Sequence, residues 1–348
     1  MSHGMNNLVN IFTLNKMLLS ICIPNYNRSN CLENCLNSIK IAKKNTKIKF
    51  EVCISDNNSE ENILSVVKKY KKYFRLKFKK NKKNFGMGKN IISAVSMAKG
   101  EFIWVIGNDD LLLPNTLKKL NKIILKNNSL DFFFINSYLL DSKYVFNFEQ
   151  PFDTKKLPKK MKKFSKNDKS KILNFHDLIN PKISFDYLVG LYLSVFRRKK
   201  WNENLKVLDK NDLVKPGTFS TFDNTCPHIK IFSKAFAKSK AFFCADGLSV
   251  NLSGQREWTN FYPFIESIRI PETLDYYFKY GFSKRKYFLY KNHSLKNFLP
   301  SLFKIVLLGK KGGLYNINIK RNLINNLIFP NFYLSLVYFI FRKIIFFK

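Results

Sequence analysis

The sequence is poor in acids: 24 Asp and Glu stand against 61 Lys and Arg, a formal net charge of +37 over 348 residues. Such a surplus draws a protein toward polyanions such as nucleic acid, nucleotide phosphates or anionic headgroups, although a Lys-rich solvated surface accounts for part of it. Histidine is also scarce, at four residues, and the six cysteines (Cys22, Cys31, Cys35, Cys53, Cys226, Cys244) form no CxxC pair. That spacing excludes a zinc ribbon and argues against a disulfide framework. Cys22 and Cys53 fall inside apolar runs, which suggests small buried side chains and a reducing compartment. The segment 1–16 lacks a continuous apolar core with a small-residue cleavage site, so a cytoplasmic location is expected. No internal repeat is present, and no apolar run reaches the roughly 20 residues that span a bilayer.

Apolar residues are plentiful, at 45%, enough for a substantial core. "LLSICIP" (18–24) reads as a buried strand ending in a Pro-Asn-Tyr-Asn turn. A helix follows, with Ser29 as its expected N-cap and Leu32, Cys35, Leu36 and Ile39 on one face. "FEVCIS" (50–55) is a second strand, and Ile63, Leu64, Val67 and Tyr70 mark a second helix. "RLKFK" (75–79) is a weaker third strand, "NFGMGKN" (84–90) a glycine turn into a helix, "EFIWVIG" (101–107) a fourth strand and "DFFFINSY" (131–138) a fifth. Strands alternating with helices predict a mostly parallel sheet covered on both faces, with ligands beyond the carboxyl ends of its strands. The polar clusters "NYNR", "DNNS" and "NDD" each follow a strand and are expected to gather along that edge.

Four segments, "SICIPNYNR", "CISDNNSEEN", "NFGMGKN" and "IWVIGNDDLLLP", in this order and spacing, resemble the nucleotide-sugar-binding half of the family 2 glycosyltransferases over residues 17–140. "FDNTCPHIKIF" and "REW" look like the subgroup that includes bacterial O-antigen transferases such as abequosyltransferases. The resemblance implies a GT-A fold: Rossmann-like α/β, a mostly parallel central sheet flanked by helices. The expected division is an extension (1–16), a donor half (17–140), an acceptor half (141–270) with an exposed basic loop at 151–171, and a C-terminal amphipathic helical region (271–348).

The implied reaction is an inverting transfer of a hexosyl or deoxyhexosyl unit from a nucleotide-diphosphate sugar to a glycan hydroxyl, with Mg²⁺ or Mn²⁺ on the diphosphate. Carried over residue by residue, Pro24, Asn25, Tyr26 and Arg28 cradle base and ribose, and Asp56 with Asn57 receives the base. Lys89 and Asn90 stand near the diphosphate, where the family often has an Arg. The family's metal-binding Asp-x-Asp ends five residues before a Pro, which selects Asp109 and leaves Gly107 in place of the first acid. Asn108, between them, is placed to bond the ribose, and Asp110 to reach the ion directly or through water. Asp223 is the candidate general base and His228 its runner-up. Arg256 is assigned to donor phosphate and Trp258 to stacking on the acceptor sugar.

Each assignment has a plainer alternative. Asp109 or Asp110 would cap the helix near Pro114, Asp56 would close an Asx-turn, Tyr26 would be a core aromatic and Lys89 a solvated surface residue. Asp223 or Asn224 would cap the helix at Pro227, His228 would pack inside it, and Trp258 would be buried. The tail, aromatic and basic with few acids, suits the headgroup region of an anionic membrane; the expected location is the cytoplasmic face of the inner membrane, facing a lipid-linked acceptor. The alternative is a helix packed on the protein's own core or on a second subunit. Two rival functions stay open: a basic nucleic-acid-binding protein, which leaves the ordered motifs unexplained, and a non-catalytic GT-A scaffold, kept alive by Gly107.

Overall fold

In the computed structural model the first strand, β1 (Leu19–Asn25), lies at the centre of four parallel strands, with β2 (Phe50–Asp56) and β3 (Arg75–Lys80) on one side and β4 (Phe102–Val105) on the other. The structure describes residues 17–44, 46–254 and 258–346, with side chains through 341. Both β1 and β2 are buried almost end to end, which is why they read as unbroken apolar runs rather than as alternating ones. β3, at the sheet edge, keeps four basic residues in six, and such charges discourage edge-to-edge pairing.

Beyond β4 the sheet becomes mixed. β9 (Ser194–Arg197) runs antiparallel between β4 and β6 (Phe132–Asp141), and the long β10 (Lys240–Ser253) pairs parallel with β6. The sheet is closed by β5 (Asp110–Leu112), antiparallel to β10. β4, β6 and β10 thus point the same way as β1–β3, so the mostly parallel sheet is present with antiparallel strands woven into its second half. Arg197 fastens that join: its guanidinium reaches Asp131 at 2.6 Å and Glu101 at 2.5 Å.

Side-chain alternation sorts the core into two layers. Leu19, Ile21 and Ile23 of β1 and Phe102 and Trp104 of β4 meet helices α1 (Ser29–Lys43), α2 (Ile63–Tyr70) and α4 (Thr116–Lys126) on one face. Cys22, Ile103 and Val105, one residue out of step, meet α3 (Met87–Ser96), α5 (Pro227–Ala235) and α6 (Ile270–Lys279) on the other. A one-residue slip of β1 would turn Leu19, Ile21 and Ile23 from one helical layer to the other. Each such fully buried aliphatic side chain contributes about 1.5–3 kcal/mol. All six cysteines are buried and unpaired.

Two expectations need correction. The basic segment at 151–171 is largely irregular, but it is fixed to the sheet: Phe152 and Phe164 are buried, β7 (Lys162–Lys163) pairs with β6, and β8 (Lys171–Asn174), which begins at its last residue, pairs with β10. Short edge strands carrying Lys162, Lys163 and Lys171 leave no apolar pattern to read. Secondly, Ser29 does not cap α1. Arg28 occupies the cap position in the left-handed region (φ 59°), and the Glu61 carboxylate accepts from the amides of Arg28 (2.7 Å) and Ser29 (2.6 Å). A hydrogen bond from the Ser29 side chain, and after it the two amide bonds, hold Glu61 below the usual carboxylate range.

The C-terminal region is helical: α6 is followed by α7 (Lys284–Ser294), α8 (Phe298–Leu308) and α9 (Pro330–Phe346). A buried Arg269–Glu272 pair (2.7 Å) anchors it, with Arg269 also donating to the Phe219 carbonyl and Asn322 to Glu272. No single helix among the described residues is long and apolar enough to cross a bilayer. Ile319–Asn326 and Pro330–Phe341 reach that length and composition only together, across an 82° bend.

Candidate active site

The register that aligns Asn25 with Asp56 and Asp56 with Lys80 brings the ends of β1, β2 and β3 to one edge, and β4 delivers residues 106–110 beside them. Asp56, fully buried, accepts from the Asn25 amide (2.9 Å), from the Ser59 amide (3.1 Å) and from the Ser59 hydroxyl. The Ser59 bonds close a local turn, and the Asn25 bond ties it to β1. Asn25 in turn accepts from Asn108 at 2.8 Å, so the loops after three strands share one hydrogen-bond chain.

That chain continues through Asn90 and Asn57, both expected at the site, and through Asn81 and Asn84, which were not. Asn90 donates to the Asn25 carbonyl (3.0 Å), Asn81 donates to Asn90 and Asn57, and Asn57 donates to Asn84 (2.6 Å). An amide side chain both donates and accepts, so such a chain satisfies buried polar groups without net charge. Asn81 and Asn84 were hidden because asparagine is abundant throughout the chain.

The "NDD" cluster resolves into two acids with different work. Asp110 is buried; its Oδ2 accepts from the Gly107 amide (2.6 Å) and its Oδ1 from Asn251 on β10 (2.8 Å). Both oxygens accept from neutral donors inside the protein, so Asp110 braces the turn. Asp109 faces the mouth, where its Oδ2 lies 3.5 Å from Arg28 Nη1, with side chains 15% and 19% exposed. Its charge, behind burial as the main cause, helps push the Cys31 thiol up to about 11.

Gly107 explains the missing first acid. A Cβ there would stand 2.6 Å from Asp109 Oδ1 and 3.1 Å from Asp110 Oδ2, inside the contact distance of real side chains. The turn therefore folds both carboxylates back over a bare peptide. Among the described residues no group of three or more His, Cys, Asp or Glu is arranged to hold a metal. A magnesium-type ion shared with phosphates needs only one or two protein carboxylates, and Asp109, partly exposed at the mouth, fits that role.

Gly88 on α3 permits a second close approach: its Cβ would meet the Asp223 and Asn224 carbonyl oxygens at 2.5 and 2.8 Å. This contact sets Asp223 beside the 84–90 turn. Its carboxylate is fully buried, accepts from the Asp209 amide (2.6 Å) and pairs with Lys230. Lys230, unmarked in the sequence, supplies the counter-charge. Neither Asp223 nor Asn224 caps α5, whose N-cap is Cys226 with Pro227 in the first turn. His228 is enclosed elsewhere: Nε2 lies 3.2 and 3.1 Å from the carbonyls of Leu188 and Val189, the ring packs on Phe232, and burial pulls its pKa down to about 4. These contacts match the packed placement given above as the plainer alternative for His228.

Pro24, near the end of β1, and Tyr26, just after it, are half-buried, and Lys89 is half-buried in the first turn of α3. Trp258 packs edge-on against Phe219 (5.6 Å) in the C-terminal aromatic cluster. Arg256, like the segment 1–16, lies outside the described residues.

Against known proteins, residues 20–186 match the family model described as glycosyl transferase family 2. Over 103 residues the chain is 37% identical to the abequosyltransferase RfbV of Salmonella typhimurium strain LT2, a match covering 29% of this chain and 31% of that transferase. It therefore spans under a third of the relative's length. Among solved structures, S. aureus TarS 1-349 in complex with UDP-GlcNAc superposes with TM-score 0.53 at 18% identity, over 89% of this chain and 80% of that one. Mannosyltransferase PcManGT from Pyrobaculum calidifontis, in complex with GDP-Man and Mn²⁺, gives 0.50 at 12%, over 86% and 77%. At these identities the likeness is one of fold.

Proposed function

We propose that the chain, whose residues 20–186 match the glycosyl transferase family 2 model, is a transferase of that family, and that the carboxyl edge of its sheet binds a nucleotide-diphosphate sugar and passes the sugar, with inversion, to a glycan hydroxyl. The setting proposed is bacterial surface-polysaccharide synthesis: capsule, O-antigen or lipooligosaccharide. The observation that carries the reading is the meeting of Arg28 and Asp109 at 3.5 Å beside the Asn25–Asp56 pair.

In this reading Pro24, Tyr26, Asp56 and Asn57 form the base and ribose end of the cleft, and Arg28 and Lys89 offer positive charge to the diphosphate. Asn108 and Asn90 hold the loops in register through Asn25. Mg²⁺ or Mn²⁺ held with Asp109 would offset the charge that develops on the departing diphosphate. Asp223, beside the glycine turn and backed by Lys230, would take the proton of the attacking hydroxyl. A lipid-linked acceptor, met at the cytoplasmic face of the inner membrane, completes the proposal and gives the C-terminal helices a task.

The test is a panel of UDP-, GDP-, CDP- and dTDP-sugars, scored by release of the nucleoside diphosphate and by thermal protection. One base class is expected to stand out on both measures. Equal indifference to all four, with retention on RNA that weakens steeply with salt, would transfer the protein to the nucleic-acid reading.

A further inference from the structure

Helix α8 buries Phe298, Ser301 and Ile305 against the protein and turns Phe303, Val306 and Leu307 outward, at 64%, 53% and 84% exposure. Helix α9 packs beside it, with Phe298 and Phe332 rings 4.8 Å apart and the Leu299 amide on Ser335. It too faces outward with Tyr333, Leu334, Val337, Tyr338 and Phe341, all between 40% and 59% exposed. Exposed apolar area of this kind, on two packed helices, is uncommon on a free soluble monomer and marks a contact surface.

We infer that this face lies on an anionic lipid bilayer, in the plane of the headgroups, with the two helices inserted by their outer sides. The inference takes up the membrane-borne acceptor proposed above and names the surface that meets it. Three observations choose the occupant. The chain has no Asp or Glu after Asp275, whereas Lys304, Lys310, Lys311 and Lys320 are exposed around the apolar face. A second copy would bring another +37 to the contact and be repelled, so self-association is the poorer match. Helix α9 has 17 residues, fewer than the roughly 20 that cross a bilayer, while its tyrosines suit the boundary between headgroup and acyl chain.

The test uses the full chain and sedimentation with vesicles of phosphatidylcholine alone or of phosphatidylcholine and phosphatidylglycerol in a two-to-one ratio. Two variants separate the apolar from the cationic contribution: Val306→Asp with Leu307→Asp, and Lys310→Glu with Lys311→Glu. All four positions are exposed, so both proteins should keep the parent's thermal midpoint. Expected is strong retention on the anionic vesicles, at least about tenfold weaker retention on the neutral ones, and a further loss of about tenfold or more in each variant. The inference fails if the parent stays in the supernatant with anionic vesicles, or if both variants bind as the parent does. It also fails if sedimentation velocity shows a stable dimer that the Asp variant dissociates. Nucleotide protection, measured on the same samples, reports separately on the donor site, so loss of protection with binding intact strikes the enzyme reading alone.

Discussion

Arg28 and Asp109, 81 residues apart in the chain, face each other across the mouth of the sheet with Nη1 and Oδ2 at 3.5 Å. The contact is long for an ion pair and partly exposed, so it contributes at most about 1 kcal/mol to stability. Its value lies in placement: a carboxylate that can hold a cation, beside a guanidinium whose planar fork suits phosphate oxygens.

Replacing Asp109 by Asn should therefore leave the fold nearly intact, with a thermal midpoint within a few degrees of the parent, roughly the effect of 1 kcal/mol. Turnover should fall by about a hundredfold or more, the usual scale for removing a group that stabilises developing charge. A scaffold without chemistry would show neither turnover nor any change in it.

The two glycines at close approaches predict opposite outcomes. In Gly107→Ala the added methyl meets the far end of Asp109's side chain, which can swing away, and presses only lightly on Asp110 Oδ2 at 3.1 Å; stability should fall less than in Gly88→Ala while nucleotide protection weakens. In Gly88→Ala it meets backbone carbonyls of Asp223 and Asn224, which cannot yield locally, and a loss of about 1–3 kcal/mol is expected from denaturant midpoints. Equal destabilisation by both would contradict the account of the Gly107 turn.

Asp223→Asn should lower the turnover number by roughly 10²–10⁴-fold with little change in donor KM, as for loss of a general base. Lys230→Met removes the counter-charge without touching substrate, and is expected to lower the folding midpoint as well, because Asp223 is then left buried without it. A donor KM that rises in Asp223→Asn with turnover unchanged would remove this residue from the chemistry.

His228 makes stability depend on pH. Its folded pKa, about 4, is depressed from the ordinary 6.5 by burial, so the unfolded chain binds the proton first. The sign follows: stability is full above pH 6.5 and is lost as pH falls toward 4, by up to roughly 3 kcal/mol. Denaturant midpoints at pH 7 and pH 5 should differ in the parent and converge in His228→Asn. An unchanged slope in that variant would assign the loss to other groups.

How much of this was legible in the sequence differs by element. β1, β2, β4 and the mouth residues were readable because a parallel strand buried on both faces spells an uninterrupted apolar run, and the polar residues after it have nowhere to go but the sheet edge. β5 was not: three residues inside "DDLLLP" become a strand only because β10 pairs with them. β7 and β8 were hidden for the same reason, since Lys162, Lys163 and Lys171 on short edge strands leave no period. The cap on α1 comes from Glu61, 32 residues ahead of Ser29, a tertiary choice no local pattern encodes. Asp110 and Asp109 look equivalent in one dimension, and only the bare peptide of Gly107 separates brace from mouth.

As proposed, Asp109 holds a divalent cation shared with the donor's diphosphate. Thermal midpoints with nucleoside diphosphate, with and without Mn²⁺, in the parent and in Asp109→Asn, measure that without requiring turnover. Mn²⁺ is expected to deepen the protection given by one diphosphate in the parent and to add nothing in the variant. The same gain in both proteins, or no gain in the parent with any of the four bases, would contradict it.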